Sequence, residues 1–213
     1  VHSVNVALIA SILGQWLKFS EKDIRILTIS GLLHDIGKIM IPNEILTKPG
    51  KLTVAEYNIM KQHVNFGYEK VKNQNIDIRI KEACLLHHEK CDGTGYPFGL
   101  KSDHIPAVAK IIAIADVYDA MTSARVYRGA LCPFEVIDTM YKDAFTKFEP
   151  EYILPFLKNV ASSYINNDVR LSDGRIGKVV LINENALSLP IVQCEDEFID
   201  LSKTRGLTVS AIL

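Results

Sequence analysis

Asp116 follows directly on the apolar run Ile111-Ile112-Ala113-Ile114-Ala115, and this junction constrains the fold more than any overall count. Val108 to Met121 reads as a helix that is apolar nearly all round, the mark of a buried one. An ionised carboxylate there has little water, so its burial requires a partner of opposite charge. A fold that accepts this chain must bring cations, from side chains or metal ions, to the middle of a helical core.

Histidines are the first candidates to gather there. The chain holds six, and five stand in a pattern with two aspartates: His2, His34-Asp35, His63, His87-His88 and Asp116. A lone histidine near a helix end is usually a cap or a satisfied core residue, and His104, in a polar loop, needs no other role. The five lie in or beside apolar helices, where an unpaired polar group is costly to bury. His34-Asp35 follows Ile29, Leu32 and Leu33; His87-His88 follows Ala83, Leu85 and Leu86. Adjacent side chains at a helix end point about 100° apart, so such a pair can serve neighbouring metals, or its carboxylate can bridge two ions. Imidazole with carboxylate suits iron, manganese or zinc, and the lack of thiolates argues against structural zinc. Two cations lower the pKa of a shared water and clamp both oxygens of an in-line phosphoryl displacement. Lys38, four residues after His34, is expected on the same side, where it can neutralise a phosphate oxygen. Taken alone, it is more simply a C-terminal lysine meeting the helix dipole.

The rest of the chain frames that cluster. Its 213 residues, nearly half of them apolar, suffice for one sizeable core and a small second domain. A net charge of −1 provides no basic field for long nucleic acid, so a phosphate substrate needs local positive charge. The apolar stretches 4–13 and 108–115 are too short to span a bilayer, and no secretory signal opens the chain. Cys84, Cys91, Cys132 and Cys194 form no C-x-x-C pair, which fits a reducing cytoplasm. Val1 opens the chain inside an amphipathic helix, so a preceding segment is expected.

Val4, Leu8, Ile12 and Trp16 recur at helical spacing. Ser20 with Asp23 predicts an N-cap, and a helix continues through Ile24, Leu27, Leu32 and Leu33. A loop over 41–51 precedes a Thr53/Glu56 capping box and a helix to about Val71. Another helix is expected over 76–88, then a long Gly-, Pro- and Asp-rich loop over 89–106. Pro133 and Pro150 mark helix starts, and Pro155 a kink. After about Tyr164 the pattern becomes short runs of Val, Ile and Leu: 169–171, 177–182, 189–193, 198–201 and 207–213. Asp173-Gly174 is a hairpin signal. The expectation is a mainly α chain: a helical bundle over 1–163 with a small β-rich appendage, a barrel or curled sheet, over 164–213.

At the level of motifs, H-D-I-G-K at 34–38 and H-H-E-K-C-D-G-T-G-Y-P at 87–97 resemble the two signatures of the HD-GYP family of HD phosphohydrolases. G-L at 99–100, I-A-D-V-Y-D-A-M-T-S at 114–123 and Y-R at 127–128 extend the resemblance over roughly residues 1 to 160. H-D alone is a weak motif, but this spaced combination is very specific. The resemblance implies a phosphodiesterase that opens cyclic di-GMP to pGpG, and in some members continues to GMP. It implies metal ligands at His2, His34, Asp35, His63, His87, His88 and Asp116, holding two or three divalent ions, usually iron or manganese. It further implies catalytic roles for Asp35 and Lys38, and substrate contacts from Lys38, Gly95, Tyr96, Pro97, Arg125 and Arg128. Asp119 would stand just behind the ligands, orienting a histidine or water.

Departures from the family pattern are few. The glutamate that holds a third ion in some members would precede Val1, leaving the ion count at two or three. Lys110 replaces a common arginine, Val126 a frequent proline, and Glu149 the aspartate of an F-D-P helix start. Two other readings stay open: a non-catalytic receptor or interaction module that binds cyclic di-GMP or a diguanylate cyclase partner, and an enzyme for cyclic GMP-AMP. An upstream sensory domain and a homodimer are the partners such a chain would have.

Overall fold

The computed structural model describes residues 1–123 and 131–213. Helices α1 (His2–Trp16) and α2 (Glu21–Leu33) come into backbone contact: a Cβ added at Gly31 would lie 2.5 Å from Ala7 Cα. That closeness decides which side of α1 is buried. Val6, Ala7, Ala10, Leu13 and Gly14 face the core, while Val4, Leu8 and Ile12 are exposed. The helix is where the spacing predicts it, but its bulky stripe faces outward because only small residues fit the helix contact. Ser20 caps α2 as expected, its Oγ accepting Asp23 N at 3.2 Å.

Past α2 the chain tightens into a 3₁₀ turn, Ile36–Met40. Gly37 makes this possible, since a Cβ there would come within 1.9 Å of the His63 carbonyl oxygen. The loop expected over 41–51 contains a short helix, α3 (Asn43–Leu46). The capping box is present: Thr53 N donates to Glu56 Oε2 at 2.7 Å and Glu56 N to Thr53 Oγ1 at 3.3 Å. The single helix expected from there to Val71 is two, α4 (Val54–Lys61) and α5 (His63–Val71). The chain breaks at Gln62, where Gln62 N bonds Ile59 O in a 3₁₀-type turn and the His63 ring takes the Met60 carbonyl.

Helix α6 (Ile78–Leu86) ends at the histidine pair, and α7 (Ala107–Thr122) is the buried apolar helix. The long loop between them carries one 3₁₀ turn, Ser102–His104. Helices α8 (Pro133–Asp143) and α9 (Pro150–Ser163) both begin on proline, and α9 continues past Pro155. Strands β1 (Asp168–Leu171), β2 (Ile176–Leu181), β3 (Ile191–Cys194), β4 (Glu197–Asp200) and β5 (Val209–Ile212) form an antiparallel sheet in the order β4-β3-β2-β1-β5. Asp173-Gly174 turns β1 into β2, with Gly174 at φ +93°. Alternate residues of the first two strands, Val169, Leu171, Gly177 and Val179, are buried. Val169, Leu171 and Val179 join Phe134, Ile137, Phe156 and Leu157 of α8 and α9 in one continuous apolar cluster that also contains Leu13, Leu27 and Ile112. Among the described residues, no helix is long and apolar enough to cross a membrane.

Candidate metal centre

Helix ends deliver most of the site. His2 opens α1, His34 closes α2, His63 opens α5, and His87-His88 follow α6. Asp116 comes from the middle of α7, and Asp35 from the turn after α2. Asp35 lies at the centre. Its Oδ2 is 3.5 Å from His2 Nε2 and 3.3 Å from His34 Nε2, while its Oδ1 is 3.4 Å from His63 Nε2 and 3.9 Å from His87 Nε2. Asp116 straddles the cluster in the same manner: Oδ1 is 3.0 Å from His2 Nε2 and Oδ2 is 4.0 Å from His88 Nδ1. Two donor groups result, Asp35-His63-His87-His88 and His2-His34-Asp35, each with its ligand atoms within 4.8 Å of one another. Asp35 belongs to both.

The donor set fits divalent cations on two independent grounds. Backbone carbonyls occupy one ring nitrogen of three histidines: Gly31 O with His34 Nδ1 (2.7 Å), Met60 O with His63 Nδ1 (2.8 Å) and Ala83 O with His87 Nδ1 (2.9 Å). Each bond requires a proton on Nδ1, which turns the Nε2 lone pair toward the cluster. Moreover, buried His34 Nε2 and Asp35 Oδ1 find no hydrogen-bond partner among the described residues, a costly state for polar atoms unless a ligand takes them up.

Charge follows from the same environment. Burial holds His63 and His87 below the ordinary imidazole value and His88 at about 4, so all three are neutral and available as ligands. Burial works against the charge on Asp35 and Asp116. Hydrogen bonds from His2 and, for Asp35, the Lys38 ammonium beside it outweigh it, and both carboxyls are ionised. His2 is raised to about 10, chiefly by its hydrogen bonds to Asp116 and Asp35.

Lys38, expected on the same side as His34, meets the same Asp35 oxygen as His34 does. From the 3₁₀ turn 36–40, Lys38 Nζ meets Asp35 Oδ2, three residues back, at 2.5 Å. The Gly95-Tyr96-Pro97 loop packs against the centre through Tyr96. Tyr96 stacks on His88 with ring centroids 4.7 Å apart and planes 27° apart, and burial pushes its hydroxyl well above the usual phenol value. Asp119 stands behind His2, its Oδ2 2.6 Å from His2 Nδ1. Arg125 and Arg128 lie outside the described residues. Sequence reasoning did not anticipate Asn5 and Ser123, which both donate to Asp119 Oδ1 at 2.8 and 3.0 Å. Their spacing offered a clue, since Asn5 is one turn from His2 and Ser123 one turn from Asp119.

Comparison with known proteins identifies the family of this chain. Residues 2–152 match the family model described as HD domain. A cyclic di-GMP phosphodiesterase of Pseudomonas aeruginosa is 37% identical over 194 residues, 91% of this chain and 47% of that protein. A 3'3'-cGAMP-specific phosphodiesterase of Vibrio cholerae is 36% identical over 155 residues, 71% of this chain and 30% of that protein. The chain thus spans half or less of the length of these curated relatives. An HDG"Y"P protein from Bdellovibrio bacteriovorus, 23% identical, superimposes with a TM-score of 0.61 over 73% of this chain and 50% of its own, which shows the shared fold. The chain belongs to the HD domain family and carries both signatures of its HD-GYP branch.

Proposed function

We propose that this chain is a metal-dependent phosphodiesterase that hydrolyses a cyclic dinucleotide, with cyclic di-GMP opened to pGpG as its leading reaction and GMP as the further product to test for. The observation that carries this reading is the central position of Asp35, whose two oxygens face two separate sets of histidines. His2, His34, Asp35, His63, His87, His88 and Asp116 would hold the ions, two or three in number and iron or manganese in kind. Divalent ions at that position supply Lewis acidity toward a phosphoryl oxygen and lower the pKa of a water molecule.

The chain's own side chains supply the rest. Asp35 and Asp116, both ionised, keep the anionic centre attractive to cations. Lys38 brings an ammonium to the same edge, where an incoming phosphate oxygen competes with Asp35 for its protons. Tyr96, packed on His88, gives the dinucleotide an apolar wall beside the reacting phosphate, with Gly95 and Pro97 shaping the loop and Arg125 and Arg128 positioning substrate. Asp119 holds the His2 ring. A cytoplasmic location, an upstream sensory domain and a homodimer belong to the same proposal.

The similarity to a cGAMP-specific phosphodiesterase makes cyclic GMP-AMP the second substrate to test. Anaerobically purified protein loaded with Fe(II) or Mn(II) is expected to convert cyclic di-GMP to pGpG, with chromatographic product identification. Faster turnover of cyclic GMP-AMP would reassign the substrate. An intact dinucleotide that binds tightly under every metal condition would replace the enzyme with a receptor, and equal turnover by His34→Ala would remove the centre from the chemistry.

A further inference from the structure

Glu89 follows the histidine pair and belongs to neither donor group at the centre. It is only 4% exposed, and a buried carboxylate needs compensation for its lost hydration. Both of its oxygens are used in one place: Oε1 accepts Phe98 N at 2.7 Å and Oε2 accepts Leu100 N at 2.8 Å. Hydrogen bonds to an ionised acceptor are the stronger kind, and these two grip the chain just beyond Pro97.

The same stretch is gripped just before Tyr96. A Cβ on Gly95 would lie 2.4 Å from Lys90 N and 2.5 Å from both Glu89 Cα and His88 O, so the loop there touches the backbone of 88–90 directly. Tyr96 N then donates to His88 O at 3.2 Å. The other holds on the loop lie away from Tyr96: Asp92 bridges Lys101, Cys91 N donates to Lys147 O at 2.9 Å, and Ser102 Oγ meets Glu149 and Lys110. The stacked position of the Tyr96 ring on His88 therefore depends on anchors at both sides, and Glu89 is the second of them.

We propose that Glu89 is a positioning residue. Its carboxylate pins the Gly95-Tyr96-Pro97 loop against the metal-ligating histidines and so fixes the wall on which a cyclic dinucleotide is seated. This rests on the phosphodiesterase reading above. Glu89 then acts on substrate binding through the loop and leaves the metal chemistry to the histidines and aspartates.

Glu89→Gln and Glu89→Asp test this in the metal-loaded protein. Glutamine offers one oxygen and turns an N–H₂ toward the second amide, so one loop amide loses its acceptor. Aspartate keeps both acceptors but is one methylene shorter, and is expected to restore part of the loss. For Glu89→Gln, KM for cyclic di-GMP is expected to rise about tenfold or more, with metal content and kcat nearly unchanged. Hydrolysis of bis(p-nitrophenyl) phosphate, which has no purine to seat, is expected to stay within about twofold of the unsubstituted protein. A merely structural role would instead lower turnover of both substrates together, and that outcome overturns the proposal.

Amide hydrogen exchange provides a readout that needs no activity. Phe98 and Leu100 amides are expected to be protected in the unsubstituted protein and to exchange at least about tenfold faster in Glu89→Gln. Unchanged exchange would overturn the proposal whatever the kinetics. Should the unsubstituted protein hydrolyse neither substrate, the phosphodiesterase reading fails, and exchange still decides whether Glu89 holds the loop.

Discussion

Asp119 Oδ2 lies 2.6 Å from His2 Nδ1, so the most solvent-reached histidine of the centre is steadied by a carboxylate buried in α7. The arrangement is that of a ligand oriented from behind, with Asn5 and Ser123 fixing the other carboxylate oxygen. Asp119→Ala is expected to weaken divalent-metal affinity by about 10- to 100-fold, while the His63-His87-His88 group keeps its geometry. Isothermal titration of apoprotein with Mn(II) measures this. Affinity equal to that of the unsubstituted protein would show that His2 needs no such support.

Gly37 bears on stability. The 3₁₀ turn that presents Asp35 and Lys38 packs backbone against backbone on α5, with room for no side chain: a Cβ would stand 1.9 Å from His63 O and 2.4 Å from Gly67 N. These are backbone atoms, which cannot swing aside. Gly37→Ala is expected to cost on the order of 1–3 kcal/mol or more through overpacking, and to displace His63 along with the turn. Thermal unfolding would register a lower Tm, and metal titration a weaker site. A variant with unchanged Tm would mean that the two segments separate easily.

Lys110 and Glu149 account for two departures from the family pattern together. Lys110 Nζ meets Glu149 Oε2 at 2.6 Å, and Ser102 Oγ meets both, tying the long loop to α7 and the start of α9. A base with a smaller head than arginine faces an acid longer than aspartate, so the pair still closes. The hydrogen bonds from Lys110 and Ser102 hold the Glu149 carboxyl below its usual 4.5. A depressed folded-state pKa contributes stability above the unfolded value, and that stability is lost as pH falls through the lower folded value. Glu149→Gln is therefore expected to lower Tm most at neutral pH, with the difference shrinking as pH falls below about 4.5. A difference that stays constant from pH 7 to 3 would show that the charge contributes nothing.

The residues of the candidate centre were legible because burial makes polar residues conspicuous. Asp116 beside an isoleucine and alanine run, and histidine pairs after apolar helices, are costly to bury unless a cation takes up their charge and lone pairs. The two-signature motif supplied the rest. Less legible were features set by contacts between segments. Val4, Leu8 and Ile12 have helical spacing, yet the buried face of α1 was chosen by Gly31 on another helix. The break at Gln62 turns on one imidazole taking one carbonyl. Lys38 was expected on the same side as His34, and both meet Asp35 Oδ2, but the 3₁₀ form of the turn that carries Lys38 had no sequence signal. Ser123 sits one turn from Asp119, a spacing that gave a clue, whereas Asn5 reaches Asp119 across the fold and Glu89 reaches the amides of an irregular loop, contacts that no local pattern encodes.

Metal content of anaerobically purified protein, measured beside that of Asp35→Ala, probes the centre most directly, because Asp35 alone belongs to both donor groups. About two or three iron or manganese ions per chain are expected in the unsubstituted protein, falling to less than about one in Asp35→Ala together with loss of cyclic di-GMP turnover. Equal metal content in both, or turnover that survives the substitution, would contradict a shared-carboxylate centre.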